Sequence, residues 1–156
     1  MLVDVEDKTC LSWWFQKIEA AGLPVPKTRF LKFDPEICAE YPNSRMTTTH
    51  KDFFEAFDGK PLGPKAIEFI ERLKSVIKEG NFELPLFLRT GQTSGKHEWD
   101  ATCNVRDLSK LDHHVMMLIQ FSELADFMGI AWDVWVVREF LKLRGPGVIL
   151  SEYLNM

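Results

Sequence analysis

Apolar side chains recur at helical spacing in three segments of the chain, and a glycine closes each segment. These segments and their closing glycines are residues 9–21 with Gly22, residues 64–79 with Gly80, and residues 112–128 with Gly129. The side chains expected on their buried faces are Leu11, Trp14, Phe15, Ile18 and Ala21; Ala66, Phe69, Ile70, Leu73, Val76 and Ile77; and Met117, Leu118, Phe121, Leu124, Ala125 and Met128. Pro64 suits a first helical turn, and Asp112 is expected to cap the third helix. A shorter helix is expected at residues 50–59.

Four shorter segments favour strands because they are rich in β-branched or aromatic residues and are bounded by breakers. They are residues 28–33, 84–89, 101–105 and 132–138. The last is apolar on both faces near its end, which predicts a central place in a sheet. Residues 34–50 are expected to be irregular. The order helix–strand, helix–strand–loop–strand–helix–strand indicates an α+β or α/β fold with a mixed sheet.

Composition is that of an ordinary globular protein and argues against several other classes. The chain has 156 residues, 46% hydrophobic and 27% charged, with a net charge of −4 and a pI near 5.6. The acidic balance argues against a protein that binds nucleic acid over its whole surface. Three scattered cysteines form no C-x-x-C pair, so neither a disulfide framework nor a thiolate zinc site is expected. The absence of a recognisable leader or membrane span predicts a cytoplasmic protein without a membrane partner.

Candidate chemistry is concentrated in LRTGQTSGKHEW, residues 88–99, between two predicted strands. Backbone N–H groups in a glycine-containing loop can hold phosphate oxygens, and Arg89 and Lys96 add two cations. A Walker A loop is rejected because the spacing from Gly91 to Lys96 is one residue short and His97 stands where a hydroxyl is needed. A polar hairpin loop with surface charges is the alternative interpretation.

The wider arrangement resembles the ATP-grasp superfamily, and within it a phage and bacterial clade. Arg89 ends the first strand, the loop Ser94-Gly95-Lys96-His97 is followed by Trp99, and Arg138 lies on the last strand in VVREFL. These features agree with the clade in order and approximate spacing. The resemblance covers about residues 10–141 and is most specific over 84–141.

The resemblance implies an α+β fold in two parts. Residues 1–60 would form a small α/β N-terminal lobe, and residues 61–156 a first nucleotide-binding subdomain with an antiparallel or mixed sheet and flanking helices. A flexible glycine-containing loop would lie over the phosphates of ATP. The second ATP-grasp subdomain is not recognisable, so the chain is expected to be the N-terminal portion of a longer protein or a natural half-domain.

The resemblance also implies a role for individual residues toward ATP. Arg89 and Lys96 would bind phosphates, and Arg138 would lie beside the nucleotide where the last strand crosses the cleft. Glu139 would contact the adenine or ribose, while Leu141 and its neighbour Phe140 would form an apolar wall. The full set expected to bind the nucleotide is Arg89, Ser94, Gly95, Lys96, His97, Arg138, Glu139 and Leu141.

Each of these roles has a structural alternative. Arg89 and Glu139 would form a salt bridge at a strand end, Trp99 would pack in the hairpin, and the other tryptophans would pack inside regular elements. His113 and His114 are expected to lie in the solvated first turn of a helix, since they lack the i, i+4 spacing of metal ligands.

For the complete protein, the resemblance implies an ATP-dependent ligase that joins a carboxylate to an amine through an acyl phosphate. The Mg²⁺ ligands of ATP-grasp enzymes come from the second half of the domain, so they are expected outside this chain, which alone would bind ATP weakly. The carboxylate and amine substrates are not identified. An exposed sheet edge predicts self-association. The alternative is a small non-enzymatic binding protein, of phage origin, with exposed aromatic anchors.

Overall fold

The computed structural model describes residues 7–126, apart from the side chains of 124–126, and residues 131–141. Within these ranges the protein is α+β, with four α-helices, two short 3₁₀-helices and four strands. The α-helices are α1 (Leu11–Ala20), α2 (Thr48–Phe57), α3 (Pro64–Glu79) and α4 (Leu111–Asp126). The strands are β1 (Thr28–Lys32), β2 (Leu86–Thr90), β3 (Asn104–Val105) and β4 (Val134–Glu139), and the 3₁₀-helices are Lys96–Glu98 and Leu108–Lys110.

The four strands form one sheet in the order β1-β4-β2-β3, with every neighbouring pair antiparallel. The mixed sheet suggested by the element order is therefore wrong. The predicted central position of the last strand is confirmed, because β4 pairs with β1 on one side and β2 on the other. Strand β1 comes from the predicted N-terminal lobe and β4 from the predicted subdomain, so both contribute to the same sheet. The boundary at residue 60 stays a prediction.

Helices α2, α3 and α4 cover one face of this sheet, here called the helical face. Alternate residues of each strand point to it, since side chains along a strand alternate between the two faces. The ring of Phe33 lies at the centre of an aromatic cluster with Phe53, Phe69, Trp132 and Trp135, at centroid distances of 4.7–6.2 Å. Full burial of each such side chain contributes about 1.5–3 kcal/mol. This cluster is the centre of the main core.

Helices α1, α2 and α3 begin and end close to the predicted positions, and α4 begins close to its predicted position. Helix α3 buries the predicted stripe except for the partly exposed Val76. Helix α2 begins at Thr48, earlier than expected, because Thr47 caps it: the Thr47 hydroxyl accepts from the backbone N–H of His50. The strand predicted at 101–105 shrinks to two residues. Backbone N–H groups of Ala101 and Thr102 both donate to the carbonyl oxygen of Glu98, which curls this stretch into turns.

Helix α4 differs from its prediction in two respects. Asp112 is not its cap, because the 3₁₀-helix Leu108–Lys110 runs directly into α4 and Asp107 caps that helix by accepting from the Ser109 N–H. The buried face is also rotated. Met117 and Phe121 are only partly buried. The buried side chains are Leu111, His114, Val115, Leu118, Ile119 and Ser122. Leu124, Ala125, Met128 and Gly129 lie outside the described side chains.

His114 is buried, not solvated as predicted. Its Nδ1 lies 2.9 Å from the carbonyl oxygen of Thr102. A carbonyl oxygen only accepts, so Nδ1 is the protonated donor. Its neighbour His113 is exposed, as predicted. The histidine therefore connects α4 to the turns before β3.

Helix α1 lies on the opposite face of the sheet. Phe15 packs edge-on against Phe30 of β1, with ring centroids 5.4 Å apart, and Cys10 contacts Val134 of β4. The predictions that Trp14 and Ala21 are buried are wrong, because half of the surface of Trp14 is exposed (50%) and Ala21 is exposed as well. Helix α1 covers only part of this face, and the part beyond it holds the candidate site.

Candidate functional site

Strand register places the two predicted arginines on one face of the sheet. Phe87 of β2 pairs with Arg138 of β4, and Arg89 pairs with Val136. Residues that pair directly across antiparallel strands share a face, as do residues two apart along one strand. Arg89 and Arg138 are therefore diagonal neighbours on the face opposite to the helical face. We call it the arginine face; its strand residues are Thr28, Phe30, Lys32, Phe87, Arg89, Asn104, Val134, Val136 and Arg138.

The two arginines have no acidic partner among the described residues. Neither guanidinium lies within ion-pair distance of a carboxylate in the described part of the chain. The Nε of Arg89 donates to the carbonyl oxygen of Thr90 at 2.9 Å, whereas the buried Nε of Arg138 has no partner among the described atoms. A buried donor without a partner costs about 1–3 kcal/mol. The arrangement therefore has unused donors for an anion.

The pKa values of Arg89 and Arg138 are both lowered by their surroundings. Burial lowers the pKa of Arg89, and the positive charge of Arg138 lowers it further, while Cys10 acts in the opposite direction. Burial also lowers the pKa of Arg138. Arginine remains a cation in proteins at neutral pH. The face therefore holds two half-buried, mutually repelling positive charges, which an anion between them would relieve.

The glycine loop begins next to this pair. Gly91 continues β2 beyond Arg89 and Thr90, and a Cβ there would overlap Cys10 at the start of α1. Gly95 has a φ of 58°, in the left-handed region that favours glycine. Lys96 and His97 follow in a 3₁₀-helix and are both exposed. The loop thus needs glycine at position 91 because the backbone closely approaches Cys10, and at position 95 because the backbone adopts a positive φ.

The structure brings together only part of the predicted set. Arg89 and Arg138 are neighbours on one face, whereas Lys96 is exposed in the 3₁₀-helix that follows Gly95. Lys96 instead lies near enough to Cys103 for its charge to influence that thiol, whose pKa is raised overall by burial. Ser94 is partly exposed, and His97 is exposed. Lys96, Ser94, Gly95 and His97 as nucleotide ligands stay predictions.

Glu139 and Leu141 occupy different surroundings from Arg138. Glu139 alternates to the helical face, where its Oε1 accepts from the backbone N–H of Lys27 at 2.7 Å. The alternative of a salt bridge between Glu139 and Arg89 is therefore wrong, because the two side chains lie on opposite faces. Leu141 is 53% exposed. The contact of Glu139 with adenine or ribose and the apolar wall formed by Leu141 stay predictions.

Trp99 connects the end of the loop to both arginine-bearing strands. Its ring centroid lies 5.6 Å from that of Phe87 and 5.9 Å from that of Phe140. Phe87 sits directly opposite Arg138, so these three rings form an aromatic border beside the arginine pair. The alternative interpretation that Trp99 packs in the hairpin agrees with this position.

Sequence reasoning missed Asn104 and Cys10 as members of this surface. Asn104 pairs with Phe87 and is buried; its Nδ2 donates to Asp100, while its Oδ1 has no partner among the described atoms. Asparagine is unfavourable inside strands, and this mismatch was an available signal. Cys10 gave no comparable signal, because its approach to Gly91 is a contact between distant segments.

The described part of the arginine face offers no group of side chains suited to magnesium. The described residues contain no group of three or more histidine, cysteine, aspartate or glutamate side chains placed to hold a metal. Hard cations need several oxygen ligands, and the arginine face offers cations instead. The described residues of this chain therefore fit an anion but not a resident metal.

Comparison of the chain with family models, with curated proteins and with solved structures found no match. None of the helices in the described ranges combines the length and the apolar character that a membrane crossing requires.

Proposed function

We propose that the arginine face binds the phosphate groups of a nucleotide, and that the chain is the N-terminal part of an ATP-grasp protein. The observation that supports this most is the pair Arg89 and Arg138, half-buried, adjacent and without a described acidic partner. Two guanidinium groups offer planar, charge-assisted donors that suit phosphate oxygens. An uncompensated pair of this kind destabilises the unliganded fold, and a phosphate ligand reverses that effect.

In the complete ligase, ATP and a carboxylate substrate would react to an acyl phosphate and ADP, and an amine would then displace the phosphate. Arg89 and Arg138 would orient the phosphate chain and offset charge that builds on its oxygens. The aromatic border of Trp99, Phe87 and Phe140 would exclude water from one side. Bound Mg²⁺ supplies further charge neutralisation in such reactions, with ligands from outside the residues described here.

The first experiment uses tripolyphosphate and ATP as probes on the full 156-residue chain. Melting temperatures are measured with increasing concentrations of each probe, at constant ionic strength, for wild type, Arg89→Met and Arg138→Met. A ligand at 100 times its Kd stabilises by about 2.7 kcal/mol. We expect stabilisation of wild type and loss of most of it in both variants.

Arg45→Met serves as the matched control, because Arg45 is exposed and lies on none of the strands that form the face. Equal stabilisation of all four proteins would indicate general charge effects and contradict the proposed site. A nucleotide site additionally requires that ATP stabilise more than AMP at equal concentration. Tripolyphosphate binding without that difference would restrict the function to anion binding.

The alternative of a non-enzymatic binding protein with exposed aromatic anchors receives less support from the side chains. Trp132 and Trp135 are buried in the core, and Trp13 and Trp99 are partly buried. Trp14, which packs edge-on against Trp13 on α1, has half of its surface exposed. Tyr41, Phe57 and Phe140 are also exposed, but these side chains come from separate segments of the chain.

A further inference from the structure

The glycine loop, residues 91–98, is fastened to the rest of the fold by buried hydroxyl groups that the proposed phosphate contacts do not use. The resemblance to ATP-grasp proteins implies a flexible loop. The hydrogen bonds around Thr93 and Gly95 point to a different behaviour.

The first attachment joins the start of the loop to helix α4. The Thr93 N–H donates to the Thr90 hydroxyl at 2.9 Å, and the Thr90 N–H donates to the Thr93 carbonyl at 3.0 Å. The Thr93 hydroxyl lies 2.8 Å from that of Thr90 and 3.0 Å from that of Ser122. Ser122 is fully buried on α4. A buried serine hydroxyl in a helix needs a partner, and here the partner belongs to the loop.

The second attachment lies under the tip of the loop. The hydroxyl oxygen of Thr102 lies 2.6 Å from the carbonyl oxygen of Gly95 and 2.7 Å from that of Glu98, and its single proton is shared between these two acceptors. Thr102 is fully buried. A Cβ at Gly95 would lie 2.9 Å from Leu118, one turn before Ser122 on the same side of α4. Consecutive turns of one helix therefore meet both ends of the loop segment 93–95.

We propose that Ser122 and Thr102 are positioning residues that hold the glycine loop in one preformed shape for its phosphate ligand. Both side chains are buried beneath the loop, so neither contacts the ligand. The inference rests on the proposed function and deepens it, because it states that the loop is already ordered before the phosphate ligand binds. Ordering a residue costs about 1–2 kcal/mol of conformational free energy, so an already ordered loop retains affinity that a flexible one loses.

Thr102 allows a matched pair of substitutions. Thr102→Val keeps the shape but removes the hydroxyl, whereas Thr102→Ser keeps the hydroxyl but removes a methyl group. Amide hydrogen exchange of residues 91–98 is measured in the unliganded proteins, and ATP affinity is measured by calorimetry. Ser122→Ala tests the first attachment, between Thr93 and α4, in the same way.

We expect protected loop amides in wild type, notably those of Thr93 and Glu98, and the same protection in Thr102→Ser. Thr102→Val should exchange faster across the loop and bind ATP about fivefold more weakly, the effect of one lost hydrogen bond. Thr102→Ser should stay within twofold of wild type even where its melting temperature falls, which separates positioning from stability.

Unprotected loop amides in wild type would overturn the inference, whether or not ATP binds. Equal ATP affinities of Thr102→Val and Thr102→Ser would also overturn the inference. Protected amides in a wild-type protein that binds neither ATP nor tripolyphosphate would instead contradict the proposed function, and with it the part that these residues play in nucleotide binding.

Discussion

Replacing Arg138 by methionine should make the unliganded protein more stable, although the substitution removes a residue of the proposed site. The reason is the diagonal pair on the arginine face: Arg138 and Arg89 repel each other, and neither has an acidic partner among the described residues. Methionine keeps most of the apolar stem that arginine packs against its neighbours. The charge, its desolvation and the repulsion are lost together.

The magnitude follows from the register. Diagonal cross-strand positions have Cα atoms about 7–8 Å apart. Two unit charges at that separation repel by about 0.5 kcal/mol at the dielectric constant of water and about 2 kcal/mol at an effective value of 20. A gain on the order of 1 kcal/mol is therefore expected for Arg138→Met. In a protein of this size it raises the melting temperature by about 2–4 °C.

Urea denaturation of wild type, Arg89→Met, Arg138→Met and the double variant measures this effect as a double-mutant cycle. The repulsion is removed only once, so the double variant should gain less than the sum of the single variants, by about 1 kcal/mol. The coupling should shrink in 0.5 M salt, where exposed charges are screened. Destabilisation by Arg138→Met with no coupling to Arg89 would refute the reasoning, because it would mean that each arginine already has a stabilising partner.

Three further predictions concern single residues. Asp52→Ala should destabilise the protein by about 2 kcal/mol in urea denaturation, because the Asp52 carboxylate accepts from two backbone N–H groups at the start of α3 at 2.7 and 3.3 Å; the exposed Asp58→Ala is the control, and equal effects would contradict the assignment. Gly95→Ala should lower the free energy of unfolding by at least about 1 kcal/mol more than Gly22→Ala does, which is the size expected for an overpacked contact. Both glycines have positive φ, but only at Gly95 would an added Cβ press against α4. Burial raises the pKa of the Cys103 thiol in the folded protein. The unfolded chain therefore loses this proton at a lower pH than the folded chain, and the free energy of unfolding falls as pH rises above about 8.5. Cys103→Ala should flatten that decline in pH-dependent denaturation, and an unchanged slope would count against it.

The order and type of the helices and strands were predictable from local pattern, whereas the face that each of them buries often was not. The α3 stripe was found because polar residues fill its other side. The α4 sequence is apolar on several sides, so Met117 and Leu118 were equally good candidates for burial. His114 was misassigned because its partner, the Thr102 carbonyl, is brought close only by tertiary structure.

The candidate site shows the same limit. Alternation within VWVVRE separates Arg138 from Glu139, and this was readable from the sequence once a strand was predicted. That Arg89 shares the face of Arg138 depends on the register between β2 and β4, which involves residues about 50 positions apart. The attachment of the loop to Ser122 likewise depends on how α4 packs, so local pattern gave no indication of it.

The central place of β4 has a consequence for synthesis of the protein on the ribosome. Strands β1 and β2 pair with β4 and not with each other, so both must wait until residues 134–139 have left the exit tunnel. Until then the nascent polypeptide exposes the two strand edges of β1 and β2 that later pair with β4, and such unpaired edges are typical sites of mispairing between chains. A stop codon introduced before position 134 should therefore yield insoluble product, even though most of the helices would already be complete.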